Sequence, residues 1–342
     1  MRLRKSTVYP LVALIIVATL ILILNSDYFF YLSDKGQKFS PKFNIISGFV
    51  GNDSRFYYNM DDDLLYIIYS GFIAGGVFFG SILSLIGIFL YVEMAELFFG
   101  NKVLGVFLLN IILFSLIMKT FQFKTYSSSL SIIFLFPLTL NYILVPNKEI
   151  FGLLVLAFLS AEKTPFRWLV LLLISLARDS YIAQIIFFIG AKYVNIRLLY
   201  LSFFAITPFI IPESYFSDST LISGQRSGYI TSVANSFLQI PLLSFIGILI
   251  KIIIGLFSPL VIPFDELSIL KIQHFLCSVI NLTFFVKLYL SRSFRDLIFK
   301  DSPNYLRACL IYASFMALAP GNPARFLAPL TFMFLFKLLC RK

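Results

Sequence analysis

Histidine is almost missing from this sequence: His274 is the single one in 342 residues. That scarcity argues against a metal centre or a catalytic triad built on histidine. The three cysteines, Cys277, Cys309 and Cys340, lie in or beside apolar segments and have no metal-ligand spacing. Neither a zinc site nor a disulfide framework is expected from them, and neither metal nor cofactor is predicted. Charge is scarce too, at 13% of residues, against roughly a quarter in soluble domains. There is no internal repeat and no low-complexity tail.

What fills the sequence is apolar. Hydrophobic residues make up 59% and aromatics 18%, in runs that soluble domains do not sustain. The runs are helical in length, unlike the roughly ten-residue alternating strands of an outer-membrane barrel. Backbone crossing lipid must satisfy its own hydrogen bonds. The expectation is therefore all-α: a polytopic membrane helical bundle forming one transmembrane domain over 1–342. The net charge of +11 is expected in cytoplasmic loops facing anionic lipid, and no nucleic-acid partner is predicted. The basic start "MRLRKSTVYP" and the apolar "LVALIIVATLILIL" precede "NSDYFFYL", with no small-residue cleavage pattern. They predict an uncleaved first helix with a cytoplasmic N-terminus.

Predicted spans cover 8–24, 64–91, 103–118, 130–146, 149–160, 167–191, 198–211, 273–290, 306–320 and 324–340. Lysine and arginine placement puts 25–63 and 212–272 outside and both termini inside. The apolar stretch 239–263 carries Lys251 in its middle, with Pro259 and Pro263 near its end. It fits as a re-entrant or interfacial helix, because a full crossing would invert the C-terminal half. This gives ten spans. Dividing 64–99 and 167–191 into two passes each gives twelve. Lys148 and Glu149 lie inside with ten passes and outside with twelve.

Polar residues near lipid are costly and mark functional sites by default. "NDSRFYYNMDDD" (52–63) closes the first external loop. Asp61, Asp62 and Asp63 suit the start of the helix that follows. Asp53 lies too far upstream to cap and is a candidate catalytic carboxylate, with Arg55 beside it and Tyr57 and Tyr58 as sugar platforms. In "PNKEIFG" (146–152), Glu149 caps the next helix or acts catalytically, and Lys148 binds phosphate or sits in a plain loop. In "LARDSY" (176–181), Arg178 and Asp179 interrupt an apolar stretch, as a buried pair or as a site facing a wet cavity. "SGQRSGYITS" (223–232) offers Arg226 and Tyr229, and "APGNPARFLAP" (319–329) offers Arg325 at a helix end. Arg325 is a snorkelling anchor or a phosphate ligand. Asp53, Arg55, Arg226 and Arg325 share one external face. Arginine forks suit a pyrophosphate, and a carboxylate can take the proton of an attacking hydroxyl.

The long first loop with "NDSRFYY" near its end resembles the acidic first loop of GT-C class, polyprenyl-phosphate-dependent glycosyltransferases. "FPLTLNYILVPNKEIFGLLVLAFL" (135–159), "LARDSY", "FSPLVIPF" and "ARFLAPLTFMFL" resemble Wzy-type O-antigen and capsular polysaccharide polymerases and their EpsG-like relatives. The resemblance spans most of the chain by pattern, and the large periplasmic loop of many polymerases is missing from it. It implies a GT-C-like bundle of 10–12 helices in the bacterial inner membrane. The implied activity joins undecaprenyl-pyrophosphate-linked repeat units at the periplasmic face without metal. Partners implied are the lipid-linked oligosaccharide, membrane lipids and a chain-length regulator protein. On this footing Arg226, Arg325 and Arg178 engage pyrophosphate, with Lys148 and Arg55 assisting. Asp53, Glu149 and Asp179 are the candidate catalytic carboxylates, and Tyr57, Tyr58 and Tyr229 bind sugar. Ligases of this class use a periplasmic histidine, and His274 at the head of an apolar helix weighs against one. The alternatives are transfer of a single sugar from a polyprenyl-phosphate donor, a polysaccharide transporter or flippase, and a non-catalytic scaffold. Transporters favour internal repeats, which this chain lacks.

Overall fold

The computed structural model describes residues 5–33, 53–60, 79–120, 136–161, 167–175, 179–195, 198–199, 201–202, 269–294, 296, 303–318 and 323–339, with isolated positions between 236 and 250. Among them every regular element is a helix. In chain order these are α1 (Lys5–Leu24), α2 (Ser26–Ser33), α3 (Asp53–Tyr58), α4 (Phe79–Phe99), α5 (Lys102–Thr120), α6 (Phe136–Leu144), α7 (Lys148–Ser160), α8 (Arg167–Ser175), α9 (Asp179–Tyr193), α10 (Ile269–Leu290), α11 (Pro303–Leu318) and α12 (Pro323–Leu339).

Local chemistry sets several of these ends. Proline opens α11 and α12, where its fixed φ and missing N–H cost nothing. Asn25 turns the corner between α1 and α2, its side-chain amide donating to the Ile21 carbonyl at 2.9 Å. The two helices meet at 78°. Gly100 ends α4 with φ 71, a left-handed conformation that glycine adopts at no steric cost. Asn101 then caps α5 by accepting from the Leu104 amide at 3.0 Å.

Packing makes α7 the hub. Ten of its 13 residues are buried, and it touches α5, α8, α9, α11 and α12. Such a helix is apolar all round because it has no outer face. Phe284 of α10 stacks on Phe334 of α12 with centroids 3.8 Å apart. The Tyr305 hydroxyl of α11 donates to the Met333 carbonyl of α12 at 2.6 Å. Gly105 of α5 lies so close to the Ala95 backbone of α4 that no Cβ fits between them. Outward-facing positions are apolar as well: Leu24 is 79% exposed, Leu97 82% and Leu172 61%. By length and composition, one helix among the described residues, α5, is long and apolar enough to cross a membrane by itself. The bent pair of α1 and α2 is a second such stretch.

Several boundaries differ from those expected. The first loop (25–63) contains two helices, α2 and α3, because its aromatics give it a core of its own to join. Tyr28, Phe29 and Leu32 are buried, as are Tyr58 and Met60. The helix expected to end at residue 91 runs over Phe79–Phe99, since Glu93 and Glu96 reach Lys102 across the turn and need no loop. The stretch 167–191 is two helices, α8 and α9. Most of 212–272, including nearly all of the expected re-entrant segment 239–263, and residues 61–78 lie outside the described residues.

Candidate functional site

The N-terminal turn of α7 is where separate parts of the chain meet. Asn147 is its N-cap, extended at φ −145 and ψ 125, and its side-chain oxygen accepts from the Glu149 amide at 2.8 Å. That satisfies one of the four free donors of a helix start. Glu149 was expected to cap this helix; Asn147 does so, and Glu149 stands one position inside the first turn. The Asn147 amide is itself oriented, donating to Asn141 Oδ1 at 2.8 Å.

The turn is fastened from two further sides. The side-chain amide of Asn110, on α5 and fully buried, donates to the carbonyls of Ile143 at 3.2 Å and Val145 at 2.9 Å. The hydroxyl of Tyr91 on α4 donates to Asn110 Oδ1 at 2.6 Å and so holds that amide in one orientation. From α9, the Tyr181 hydroxyl donates to the Lys148 carbonyl at 2.8 Å. The main chain of residues 143–149 is thus pinned by side chains on two helices, α5 and α9, and by the Asn147 cap. This is the positioning that a functional turn needs.

Its charges are placed unusually. Glu149 is 2% exposed. Lys148 is half-buried, with Nζ 5.3 Å from the centroid of the Tyr57 ring. Tyr57 belongs to α3, and two residues earlier Arg55 lies over Tyr31 of α2, its guanidinium carbon 4.2 Å from the Tyr31 ring centroid. Arg55 Nη1 also donates to the Tyr31 hydroxyl. Asn59 ties α3 down by donating to the Leu32 carbonyl at 2.9 Å and the Arg55 carbonyl at 2.8 Å. The Lys148 ammonium and the positive end of α7 therefore lie along an edge lined by Tyr57, with Arg55 two residues away on α3 and held on Tyr31 of α2. Such an edge suits an anionic ligand with a planar or sugar-like neighbour.

Of the residues selected from sequence, Lys148 and Glu149 lie on this turn, Tyr57 is brought to Lys148, and Arg55 is two residues from Tyr57 on α3. Asp53 is the first residue of α3 and Asp179 the first of α9, so both carboxylates begin helices that meet this turn. Arg325 is the third residue of α12. Phe332, seven residues on, packs against Tyr142 at 5.4 Å between centroids, which sets Arg325 about 10 Å along the helix from that contact. Arg178, Arg226 and Tyr229 lie outside the described residues. Tyr58 corrects one expectation. At 1% exposure its ring belongs to the core, so of the two adjacent tyrosines Tyr57 keeps the accessible face. Burial pushes the Tyr58 hydroxyl well above the ordinary tyrosine range.

Sequence reasoning missed Asn147, Asn110, Tyr142, Tyr181 and Tyr312. Asn147 carried a visible signal, an Asn directly before an apolar run. The others are single polar residues inside apolar stretches, and a search confined to formal charges passes over them. Among the described residues no group of three or more His, Cys, Asp or Glu could hold a metal ion. Comparison with protein-family models, curated proteins and solved structures finds no match.

Proposed function

We propose that this chain is a multi-pass enzyme of the bacterial inner membrane, a glycosyltransferase of the polysaccharide-polymerase kind. It joins undecaprenyl-pyrophosphate-linked oligosaccharide units at the periplasmic face for O-antigen or capsule synthesis. The observation that carries this reading is the meeting of the N-terminal turn of α7, with Lys148 and Glu149, and Tyr57 of α3, the helix that also carries Arg55. Lys148, Arg55 and the helix end hold and neutralise the leaving pyrophosphate. Glu149 takes the proton of the attacking sugar hydroxyl, and Tyr57 offers a ring to the sugar. Asp53 and Asp179 are the other candidate bases, and Arg226, Arg325 and Arg178 complete the pyrophosphate site.

The membrane setting draws support from leucines such as Leu24, Leu97 and Leu172 on outward faces. Apolar patches of that kind mark lipid or protein contact. The contact of Lys148 with Tyr57 also favours the twelve-pass arrangement, which sets residue 148 on the side of the first external loop.

The test is incubation of the purified chain with undecaprenyl-pyrophosphate oligosaccharide. A ladder of longer lipid-linked products is expected, and it persists in the presence of a chelator. Lys148→Ala, Arg226→Ala and Arg325→Ala should abolish the ladder. Glu149→Gln should slow it by roughly 10²- to 10⁴-fold. Addition of one sugar from a polyprenyl-phosphate donor would identify the simpler transferase. No extension of either kind would eliminate glycosyl transfer and leave transport as the reading to pursue.

A further inference from the structure

Behind the α7 turn the bundle interior is unexpectedly polar. The buried stripe of α9 reads Tyr181, Gln184, Phe188 and Ala191, at the spacing of one helix face. Tyr181 reaches α7 at Gly152, where a Cβ would stand 2.5 Å from its hydroxyl oxygen and 3.0 Å from that of Tyr312 on α11. The missing side chain at 152 thus makes room for two hydroxyls, one turn inside Glu149. Tyr142 of α6 lies within electrostatic range of Glu149, Tyr312 and Tyr181. Gln184 follows Tyr181 by one turn on the same face.

Two of these side chains are unsatisfied. Gln184 is 0% exposed and Tyr142 1%. Among the described residues neither Gln184 Nε2, nor Gln184 Oε1, nor the Tyr142 hydroxyl has a hydrogen-bond partner. Buried side-chain polar atoms are bonded in the large majority of cases, to protein or to ordered water. The amide brings donors and an acceptor, and the phenol brings one of each. An internal water needs two to four such partners.

We propose that Gln184 of α9 and Tyr142 of α6 each bind ordered water inside the bundle, behind the N-terminal turn of α7. The occupant is water, the usual partner of a buried amide or phenol that no protein group satisfies. This site exists whether or not the chain transfers glycosyl units.

Hydroxyl-radical labelling by X-ray radiolysis tests the proposal on the full chain in lipid nanodiscs, because water held in place is cleaved there and oxidises its neighbours. Tyr142 should be labelled severalfold more than Tyr305, which is equally buried but gives its hydroxyl to the Met333 carbonyl. Equal labelling of the two overturns the proposal. Thermal unfolding of Gln184→Met and Tyr142→Phe supplies a second measurement. Removing polar atoms from a dry site relieves them and raises Tm, which would also overturn it. Removing them from a hydrated site strands the water and lowers Tm. If a variant fails to fold, the labelling ratio in the unaltered chain still decides.

Discussion

The same dipeptide, Asn-Lys, opens two helices in this protein, at 101–102 and at 147–148. In both the asparagine is the cap: Asn101 accepts from the Leu104 amide at 3.0 Å and Asn147 from the Glu149 amide at 2.8 Å. There the likeness ends. Asn101 is exposed, and Lys102 is met by Glu93 Oε1 at 3.0 Å and Glu96 Oε2 at 3.6 Å, acids of the preceding helix. Asn147 is 6% exposed and bonded again to Asn141, and its lysine faces the Tyr57 ring of a helix some ninety positions earlier in the sequence. One turn is completed by its sequence neighbours. The other is completed by the fold, which brings the Tyr57 ring of a distant helix to its lysine.

Breaking the caps should separate the two turns most widely. Asn147→Ala removes the cap and strands the buried Asn141 oxygen, with an expected cost of about 2–3 kcal/mol. Asn101→Ala loses an exposed cap alone, about 0.5–1 kcal/mol. Paired thermal melts in one detergent check this, and equal costs would erase the distinction. Gly152→Ala comes next, because its methyl must displace the Tyr181 hydroxyl that holds the Lys148 carbonyl. Forcing a group into a packed core costs roughly 1–3 kcal/mol. Adding Tyr181→Phe should return part of that loss, which a simple cavity or propensity effect would not allow.

Alkaline pH should act on one turn before the other. Burial raises the Tyr58 hydroxyl above its ordinary range, and burial first and the Tyr31 charge second raise that of Tyr28. Both belong to the α2–α3 layer that carries Tyr57 and Arg55. The folded state keeps these protons where the unfolded chain releases them. Their contribution is therefore full below about pH 10 and declines above it, by up to about 1.4 kcal/mol per pH unit for each tyrosine. Hydrogen exchange above pH 10 should show the Glu149 amide losing protection earlier than the Leu104 amide. Tyr58→Phe should narrow that interval.

The comparison also marks what could be read from the sequence. Helices at 8–24, 149–160, 306–320 and 324–340 were legible because each is a long apolar run bounded by a capping residue, proline or charge. They appear as α1, α7, α11 and α12 with ends displaced by a few positions. Lys148, Glu149, Arg55 and Tyr57 were legible one by one, as polar residues in an apolar chain. Their meeting was not, since nothing local to "NKE" encodes which helix will cover it. The Asn110 and Tyr91 support was illegible for another reason. Inside a hydrophobic run an amide or phenol looks like tolerated polarity until its partners, the carbonyls of Ile143 and Val145, are known. The α2 and α3 helices were hidden inside a segment read as loop, where aromatic content was the sole hint of a packed layer.

The smallest expected effect tests the lysines themselves. Lys102→Met removes two partly exposed ion pairs, worth about 0.2–1 kcal/mol together at low salt and less as salt screens them. Lys148→Met removes a cation from over the Tyr57 ring, a contact worth about 0.5–1 kcal/mol that salt screens less than an exposed ion pair. Melts of both variants and the unaltered chain at about 0.05 M and 1 M salt should show the Lys102 cost fading and the Lys148 cost holding. If the Lys148 cost also fades, a carboxylate shares that lysine and its donors are already spent. The phosphate-holding role would then have to pass to Arg55 and the arginines of the C-terminal half.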